Sequence, residues 1–145
     1  MNVKEIMTSD VKSVSSSDPI KKAAEIMKSV DCGSVPVVDQ GQVVAMVTDR
    51  DIAVRAVADG KGPDTPVKDS MSHHVVTVSP DTDARQAATK MAENQVRRLP
   101  VVDGKKLVGI LAIADLARKN IFVSESGHAL SDISEPSQQS NAVQH

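Results

Sequence analysis

The residues whose types and spacing best suit chemistry are a hydroxyl and a carboxylate three positions apart. Thr48 and Asp51 stand in the stretch VTDRD, where an apolar run gives way to a predicted helix. The T-x-x-D spacing is that of a capping box, in which the hydroxyl and the acid bond backbone N–H groups. The same position suits a ligand, because N–H groups at a helix start bind phosphate and a carboxylate can accept two ribose hydroxyls. The stretch alone leaves both interpretations open.

Two adjacent arginines form a second candidate. Arg97 and Arg98 stand in QVRRLP, just before a Val-rich run. One interpretation is solvated surface charge, or pairing with the acidic residues of a linker. The other is a phosphate site, because planar guanidinium donors match the geometry of phosphate oxygens.

Metal binding and catalysis find little support in the residues. His73 and His74 are adjacent, so in an extended segment their side chains point to opposite faces. Neither a cysteine nor a third histidine lies at ligand spacing from them. Cys32 has no evident base, and neither a Ser-His-Asp order nor a pair of carboxylates stands out. We therefore predict no metal site, no catalytic residue and no enzymatic activity.

Composition excludes several classes of partner. The chain of 145 residues has 17 Lys and Arg against 19 Asp and Glu, so no broad cationic surface is available for nucleic acid. Phe122 is the single aromatic residue, which excludes a base-stacking platform. A lone cysteine fits a reducing compartment, and no apolar run approaches the roughly 18 residues that cross a bilayer. We expect a soluble, cytoplasmic protein that binds neither nucleic acid nor membrane.

The chain contains an ungapped internal repeat. Residues 3–55 align with residues 67–119 at 16 identical positions. A period of this length that occurs only twice indicates a duplicated domain rather than a solenoid. The identities of the first copy are Val3, Lys4, Met7, Val11, Val14, Ser15, Ala23, Ala24, Met27, Pro36, Val37, Val38, Asp39, Val44, Asp51 and Ala53.

Each copy predicts the same order of elements. A short β segment (VKSV, VVTV) is followed by a helix with a buried stripe at i, i+3, i+4 and i+7. Asp18 is the expected N-cap of the first of these helices, with Pro19 at its first position, and Thr82 opens the second. The stripe residues are Ile20, Ala23, Ala24 and Met27 in one copy and Ala84, Ala87, Ala88 and Met91 in the other.

A hairpin and a second helix complete each copy. The strands are SVPVVD with QVVAMVT, and RLPVVD with KLVGILA, joined by turns at Asp39-Gln40-Gly41 and Asp103-Gly104. Second helices start near Asp49 and Ile113. The predicted fold is mixed α+β, with the unit β-α-β-β-α occurring twice. We predict domains at 1–60 and 67–122, a linker at 61–66 and a polar, mobile tail at 123–145 in which Ala129, Leu130 and Ile133 dock on a partner.

The doubled pattern VxxIM...V...A...M...hPVVD...hhhhVTDRDI resembles a tandem pair of CBS (cystathionine beta-synthase) domains, the Bateman module. The resemblance covers residues 1 to about 122 and extends to short, free-standing bacterial members of the family. It implies two units packed sheet to sheet about a pseudo-twofold axis, with two clefts that bind adenosine-containing ligands. In the family the Thr or Ser at the helix start contacts phosphate or ribose, and the Asp three residues later binds the ribose hydroxyls.

Carried over residue by residue, the resemblance implies one complete cleft and one reduced cleft. The first comprises Met46, Thr48, Asp51, Val76, Arg97, Arg98 and Pro100. The second comprises Lys12, Ser34, Pro36, Ile110 and Asp115. In the second cleft Ala112 replaces the expected hydroxyl and Gly33-Ser34 replace the arginines, so weaker anion binding is expected there. Ala45 stands where the family usually has glycine, which predicts an extra methyl group close to the ligand.

These expectations add up to a regulatory protein that requires no cofactor. The predicted ligand is AMP, ADP or ATP; NAD and S-adenosylmethionine share the same ribose, although two arginines favour phosphate over a sulfonium. The ligand would bias the packing or assembly of a homodimer and act on a protein effector that the sequence does not identify. The alternative is a scaffolding dimer whose clefts are vestigial and whose arginines serve an interface.

Overall fold

The structure, a computed structural model, describes residues 1–119. It divides into two compact units. Among the described residues, unit I contains 1–9, 76–101 and 108–119, and unit II contains 10–75 and 102–107. The predicted tail at 123–145 and its docking residues Ala129, Leu130 and Ile133 lie outside the described residues. None of the helices formed by residues 1–119 is long and apolar enough to cross a bilayer.

Unit II holds the helices and the hairpin of the first repeat. Helix α1 spans Ile20–Val30, and strands β1 (Ser34–Asp39) and β2 (Gln42–Thr48) form the hairpin. Gln40 and Gly41 both have positive φ in the two-residue turn, as the sequence predicts for a tight hairpin. Helix α2 spans Asp49–Ile52 and continues as a π-helical segment, Ala53–Val57.

Unit I holds the corresponding elements of the second repeat. Helix α3 spans Ala84–Asn94, strands β3 (Arg98–Asp103) and β4 (Lys106–Ala112) are neighbours, and helix α4 spans Ile113–Arg118. The strand bounds match the predicted runs in both repeats. The tip of this second hairpin belongs to unit II, where Gln42 of β2 pairs with Lys106.

The predicted β segments before the first helices are reduced to single bridges. Val14 pairs in parallel with Val37, and Val78 pairs in parallel with Val101. Val14 donates to the carbonyl of Pro36 at 3.1 Å, and Val38 donates back to Val14 at 2.8 Å. The predicted strands VKSV and VVTV are therefore too long. Period-2 alternation indicates an extended segment, but only tertiary pairing decides how many of its residues form a ladder.

Two predicted helix starts are wrong by one residue. The N-cap of α1 is Pro19, and Asp18 instead accepts a hydrogen bond from the N–H of Ser15 at 2.8 Å. The carboxylate closes the preceding turn, so it does not cap the helix. The N-cap of α3 is Asp83, which accepts from the N–H of Arg85, and Thr82 accepts from Ser79 in the preceding turn. In both repeats a short polar side chain, Asp18 or Thr82, lies near both a turn N–H and a helix N–H, and it bonds the turn N–H.

The first residues of each repeat, its leading segment, pack in the apolar core that contains the helices and strands of the other repeat. Val3 and Ile6, from the start of the first repeat, belong to the core of unit I, with α3 and β3. Val67 and Met71, from the start of the second repeat, belong to the core of unit II, with α1 and β1. The compact units therefore do not follow the repeat boundaries, and the predicted domain limits stay a prediction. Seven of the eight stripe residues are buried; Ala24 is exposed.

Two carboxylates of unit II have lowered pKa values. Hydrogen bonds from the Ser16 hydroxyl (2.6 Å) and N–H (3.0 Å) hold the pKa of Asp39 below its ordinary 3.8. The backbone N–H of Ser15 lowers the pKa of Asp18 in the same way, with a further contribution from Lys22. Because the folded state binds protons less readily than the unfolded state, this stabilisation is full above pH 3.8 and is lost as the pH falls through the lowered values.

We expect Asp39→Asn to remove part of this pH-dependent stabilisation. The variant should be less stable than the wild type at pH 7, and the difference should shrink as the pH falls below 3.8, because the wild-type carboxylate is then protonated. Denaturant titrations from pH 7 to pH 2.5 measure it. The control is Asp103→Asn, at the exposed matching position of β3. A difference that stays constant with pH contradicts the assignment.

Candidate functional site

Thr48 and Asp51 form a reciprocal capping box at the start of α2. The Thr48 hydroxyl accepts from the N–H of Asp51, and Asp51 Oδ2 accepts from the N–H of Thr48, both at 3.0 Å. The structural interpretation of T-x-x-D is therefore confirmed. Both side chains are partly buried, so the box fixes the orientation of the hydroxyl and the acid at the end of β2. A role in ligand binding would add to this role, since the second carboxylate oxygen takes no part in the box.

Arg55 is a neighbour of that second oxygen. Its Nε lies 4.0 Å from Asp51 Oδ1, and the Asp51 side chain is 14% exposed. One guanidinium nitrogen of Arg55 also reaches the carbonyls of Met71 (3.3 Å) and Ser70 (3.5 Å). The hydroxyl of Ser70 is fully buried and has no hydrogen-bond partner among residues 1–119. Arg55 thus links the acid of α2 to the leading segment of the second repeat.

Backbone pairing positions the remaining candidates of unit II. Met46 and Ser72 exchange two backbone hydrogen bonds, of 3.0 and 2.8 Å, so the leading segment of the second repeat lies along β2. Pro36 is buried and lies opposite Met46 in the hairpin. Ser34 lies opposite Thr48, at the same end of the hairpin as the capping box. Lys12 is exposed, and the methyl group of Ala45 packs in the core.

Glycine at position 33 allows a close approach to α2. The N–H of Asp49 donates to the carbonyl of Gly33 at 2.9 Å. A Cβ atom at this position would meet the Asp49 carboxylate at 3.1 Å. The sequence comparison shows arginine at the matching position of the second repeat, Arg97, where Ile113 takes the place of Asp49. A side chain at position 33 would therefore lie too close to the Asp49 carboxylate. The second repeat has no acid at the matching position, so an arginine fits there.

In unit I, Asp115 lies at the position that matches Asp51. Its Oδ2 accepts from the N–H of Ala112 at 2.8 Å, and its Oδ1 accepts from the guanidinium of Arg118. The carboxylate is thus half of a capping box even though Ala112 offers no hydroxyl. A carboxylate at this position can therefore cap the helix by bonding the N-cap N–H alone.

The two arginines lie at the start of β3, beside the start of α4. Arg97 is exposed and Arg98 partly buried, and the carbonyl of Arg97 accepts from the N–H of Ile113 at 2.9 Å. Among residues 1–119 neither guanidinium forms a salt bridge or a side-chain hydrogen bond. Pro100 is buried and accepts from the N–H of Val78. Val76 is partly buried and Ile110 is buried.

The predicted site residues divide between the units. Unit II contains Lys12, Ser34, Pro36, Met46, Thr48 and Asp51. Unit I contains Val76, Arg97, Arg98, Pro100, Ile110 and Asp115. Each predicted cleft draws on both sets, so both clefts stay predictions. Sequence reasoning missed the two arginines that contact the acids, Arg55 and Arg118, although their spacing of four and three residues from an acid on a helix was a usable signal.

Over the described part of the chain, no cluster of three or more His, Cys, Asp or Glu side chains is arranged to hold a metal ion. His73 and His74 are both exposed. The Cys32 thiol is partly buried and contacts the carbonyl of Ser34 at 3.4 Å.

Comparison with known proteins places these features in a family. The CBS domain model matches the chain twice, at residues 3–57 and 67–121. The CBS domain-containing protein YhcV of Bacillus subtilis is 44% identical over 133 residues, which cover 92% of this chain and 95% of that protein.

Two solved structures show the same fold. Hypoxic Response Protein I, with two coordinated zinc ions, is 32% identical with a TM-score of 0.75, covering 81% of this chain and 98% of the other; the protein of that name comes from Mycobacterium tuberculosis. The CBS domain pair of protein MJ0100, in complex with 5′-methylthioadenosine and S-adenosyl-L-methionine, is 29% identical with a TM-score of 0.73, covering 83% of this chain and 95% of the other.

Proposed function

The chain belongs to the CBS-domain family as a tandem pair, and from this premise we propose that it is a non-enzymatic regulatory module that binds an adenosine-containing nucleotide. The observation that carries the proposal is the geometry of Asp51. The capping box holds the acid through Oδ2. Within residues 1–119, Oδ1 has only the long contact with Arg55, so this oxygen can accept from a ribose hydroxyl. The MJ0100 pair, of similar sequence and fold, binds two ligands that share the adenosine group.

The phosphate part of the ligand is assigned to Arg97 and Arg98. Both guanidinium groups are without an ionic partner among residues 1–119, so a phosphate would not have to displace an internal carboxylate. Charge-assisted bonds to phosphate are about twice as strong as neutral ones. We therefore propose AMP, ADP or ATP as the ligand, held by residues of both repeats: Met46, Thr48, Asp51, Val76, Arg97, Arg98 and Pro100.

The second proposed site, at Lys12, Ser34, Pro36, Ile110 and Asp115, is weaker. Ala112 offers no hydroxyl, and Gly33 with Ser34 offers no guanidinium. Loss of one charge-assisted hydrogen bond typically weakens binding by about 1.5 to 3 kcal/mol, which is roughly tenfold or more.

Regulation requires that the ligand prefer one arrangement of the protein over another. We propose that this difference is read by a homodimer and a protein effector. Val54 and Val57, after α2, are 49% and 66% exposed, and an apolar pair on one helical segment supports an assembly surface there. The single cysteine supports a cytoplasmic location.

A scaffolding dimer without a ligand is the alternative, and one substitution separates the two functions. In the wild type, AMP at about 100 times its Kd should stabilise the folded state by about 2.7 kcal/mol. In Thr48→Ala this stabilisation should be largely lost, because the hydroxyl is removed and Asp51 loses part of its anchoring. Thermal unfolding with and without AMP, ADP, ATP, NAD and S-adenosylmethionine measures it.

Two controls separate binding from stability. Thr48→Ser keeps the hydroxyl and should keep the response to AMP. Thr82→Ala removes a hydroxyl that accepts a turn N–H in unit I, so it lowers stability without affecting the proposed ligand. If no adenosine compound stabilises the wild type and none copurifies under non-denaturing conditions, the proposed nucleotide binding is wrong and the scaffolding alternative is favoured.

A further inference from the structure

The two matching acids have different arginine neighbours. Asp51 has Arg55 four residues later, at 4.0 Å, and position 54 is a valine. Asp115 has Arg118 three residues later, at the position that matches Val54, and the two side chains are in direct contact. This difference lies within each repeat and is separate from the missing hydroxyl of Ala112 and the missing arginines at Gly33 and Ser34.

Both oxygens of Asp115 are engaged by the protein itself. Oδ2 accepts from the Ala112 N–H, and Oδ1 accepts from the Arg118 guanidinium. The Asp115 side chain is 6% exposed, against 14% for Asp51. The oxygen that remains available for a ribose in the first repeat is therefore occupied by an internal cation in the second.

We propose that Arg118 closes the second acid to ribose, so that at ligand concentrations that fill the first site the weaker second site stays empty. This inference rests on the proposed function, because it assigns Asp115 the ribose-binding role proposed for Asp51. A ribose must displace the guanidinium from Oδ1 before its hydroxyls can bond there. Removing the guanidinium should restore a second ribose acceptor even though Ala112 and Gly33 are unchanged.

The packing does not require an arginine at this position. The Arg118 side chain is 73% exposed, so replacing it removes little buried contact. The first repeat carries a half-exposed valine at the matching position. Arg118→Val therefore copies a residue that this fold already accepts, and a loss of folding is not expected.

The experiment counts binding sites for 5′-methylthioadenosine by isothermal titration calorimetry. This probe has the ribose and adenine but no phosphate. Loss of the Arg118 charge therefore cannot change its affinity by weakening an attraction to phosphate. Arg118→Val should bind one more molecule per chain than the wild type. The double variant Arg118→Val with Asp115→Asn should return to the wild-type number. Lys119→Ala removes a neighbouring positive charge and should leave the number unchanged.

The reverse substitution gives an independent reading. Val54→Arg places a guanidinium three residues after Asp51 and should weaken binding of the same probe at the first site by about tenfold or more. The inference is overturned if Arg118→Val binds the same number of probe molecules as the wild type, or if the extra site survives Asp115→Asn. Failure of the proposed function is a separate outcome: the wild type then shows no response to AMP that depends on Thr48.

Discussion

Asp51→Asn should weaken AMP binding by about two orders of magnitude while changing the free energy of unfolding little. The amide oxygen of Asn can still accept from the N–H of Thr48, so the cap is retained. The variant loses the negative charge and, with it, the second acceptor oxygen proposed for the ribose. Two hydrogen bonds to a charged group, at about 1.5 to 3 kcal/mol each, account for a loss of this size. Titration calorimetry with AMP gives the affinity, and urea unfolding gives the stability.

The matched control is Asp49→Asn, two residues earlier in the same helical turn. Asp49 is exposed and bonds only local backbone, so its loss removes an equal charge without removing the proposed acceptor. AMP affinity should then stay within a few-fold of wild type, or rise slightly because a negative charge near the phosphate has gone. Equal losses in both variants would mean that the effect is general electrostatics and that Asp51 does not contact the ribose.

Val3→Ala should destabilise the unit that contains the second repeat, and Val67→Ala the unit that contains the first. Both valines are fully buried, and they occupy matching positions of the two leading segments. Each substitution removes two buried methyl groups and leaves a cavity, which costs about 2 kcal/mol. Hydrogen exchange should accelerate in α3 for Val3→Ala and in α1 for Val67→Ala.

The prediction is tested by which unit exchanges faster in each variant. Val54→Ala, at a half-exposed position, should change neither region. If Val3→Ala instead accelerates exchange mainly in α1, within its own repeat, then the packing of each leading segment in the other repeat's core does not describe the folded protein. Total unfolding free energies alone would not separate these outcomes, because both substitutions are expected to cost similar amounts.

Local patterns were sufficient for the hairpins. In RLPVVD and KLVGILA, proline at the strand start, Val-rich runs and an Asp-Gly turn agree, and the strands have the predicted bounds. Each of these signals acts over a few residues, so the sequence contains all the information that is needed. The stretch VTDRD also predicted the capping box at Thr48, as one of two interpretations that it left open.

Polar side chains with more than one possible local hydrogen bond predicted the helix starts less well. Asp18 and Thr82 each had a turn N–H and a helix N–H within reach, and both bond in the preceding turn. The short β segments ended as single bridges, because a ladder requires a partner strand that local alternation does not specify.

The sequence by itself determined the duplication, the helix–hairpin–helix order of each repeat and the presence of an acid at each second helix, because all of these depend on residue type and short spacing. Only the tertiary structure decided which core each leading segment enters, because this burial depends on contacts between residues distant in the chain. The second repeat's segment packs with α1 and β1, about 30 to 50 positions earlier, and the first repeat's segment packs with α3 and β3, about 80 to 100 positions later. It also decided that Asp51 keeps an oxygen available while Arg118 occupies that of Asp115. Helical spacing allows an ion pair at three or four residues, and the side-chain geometry selects which acid it engages.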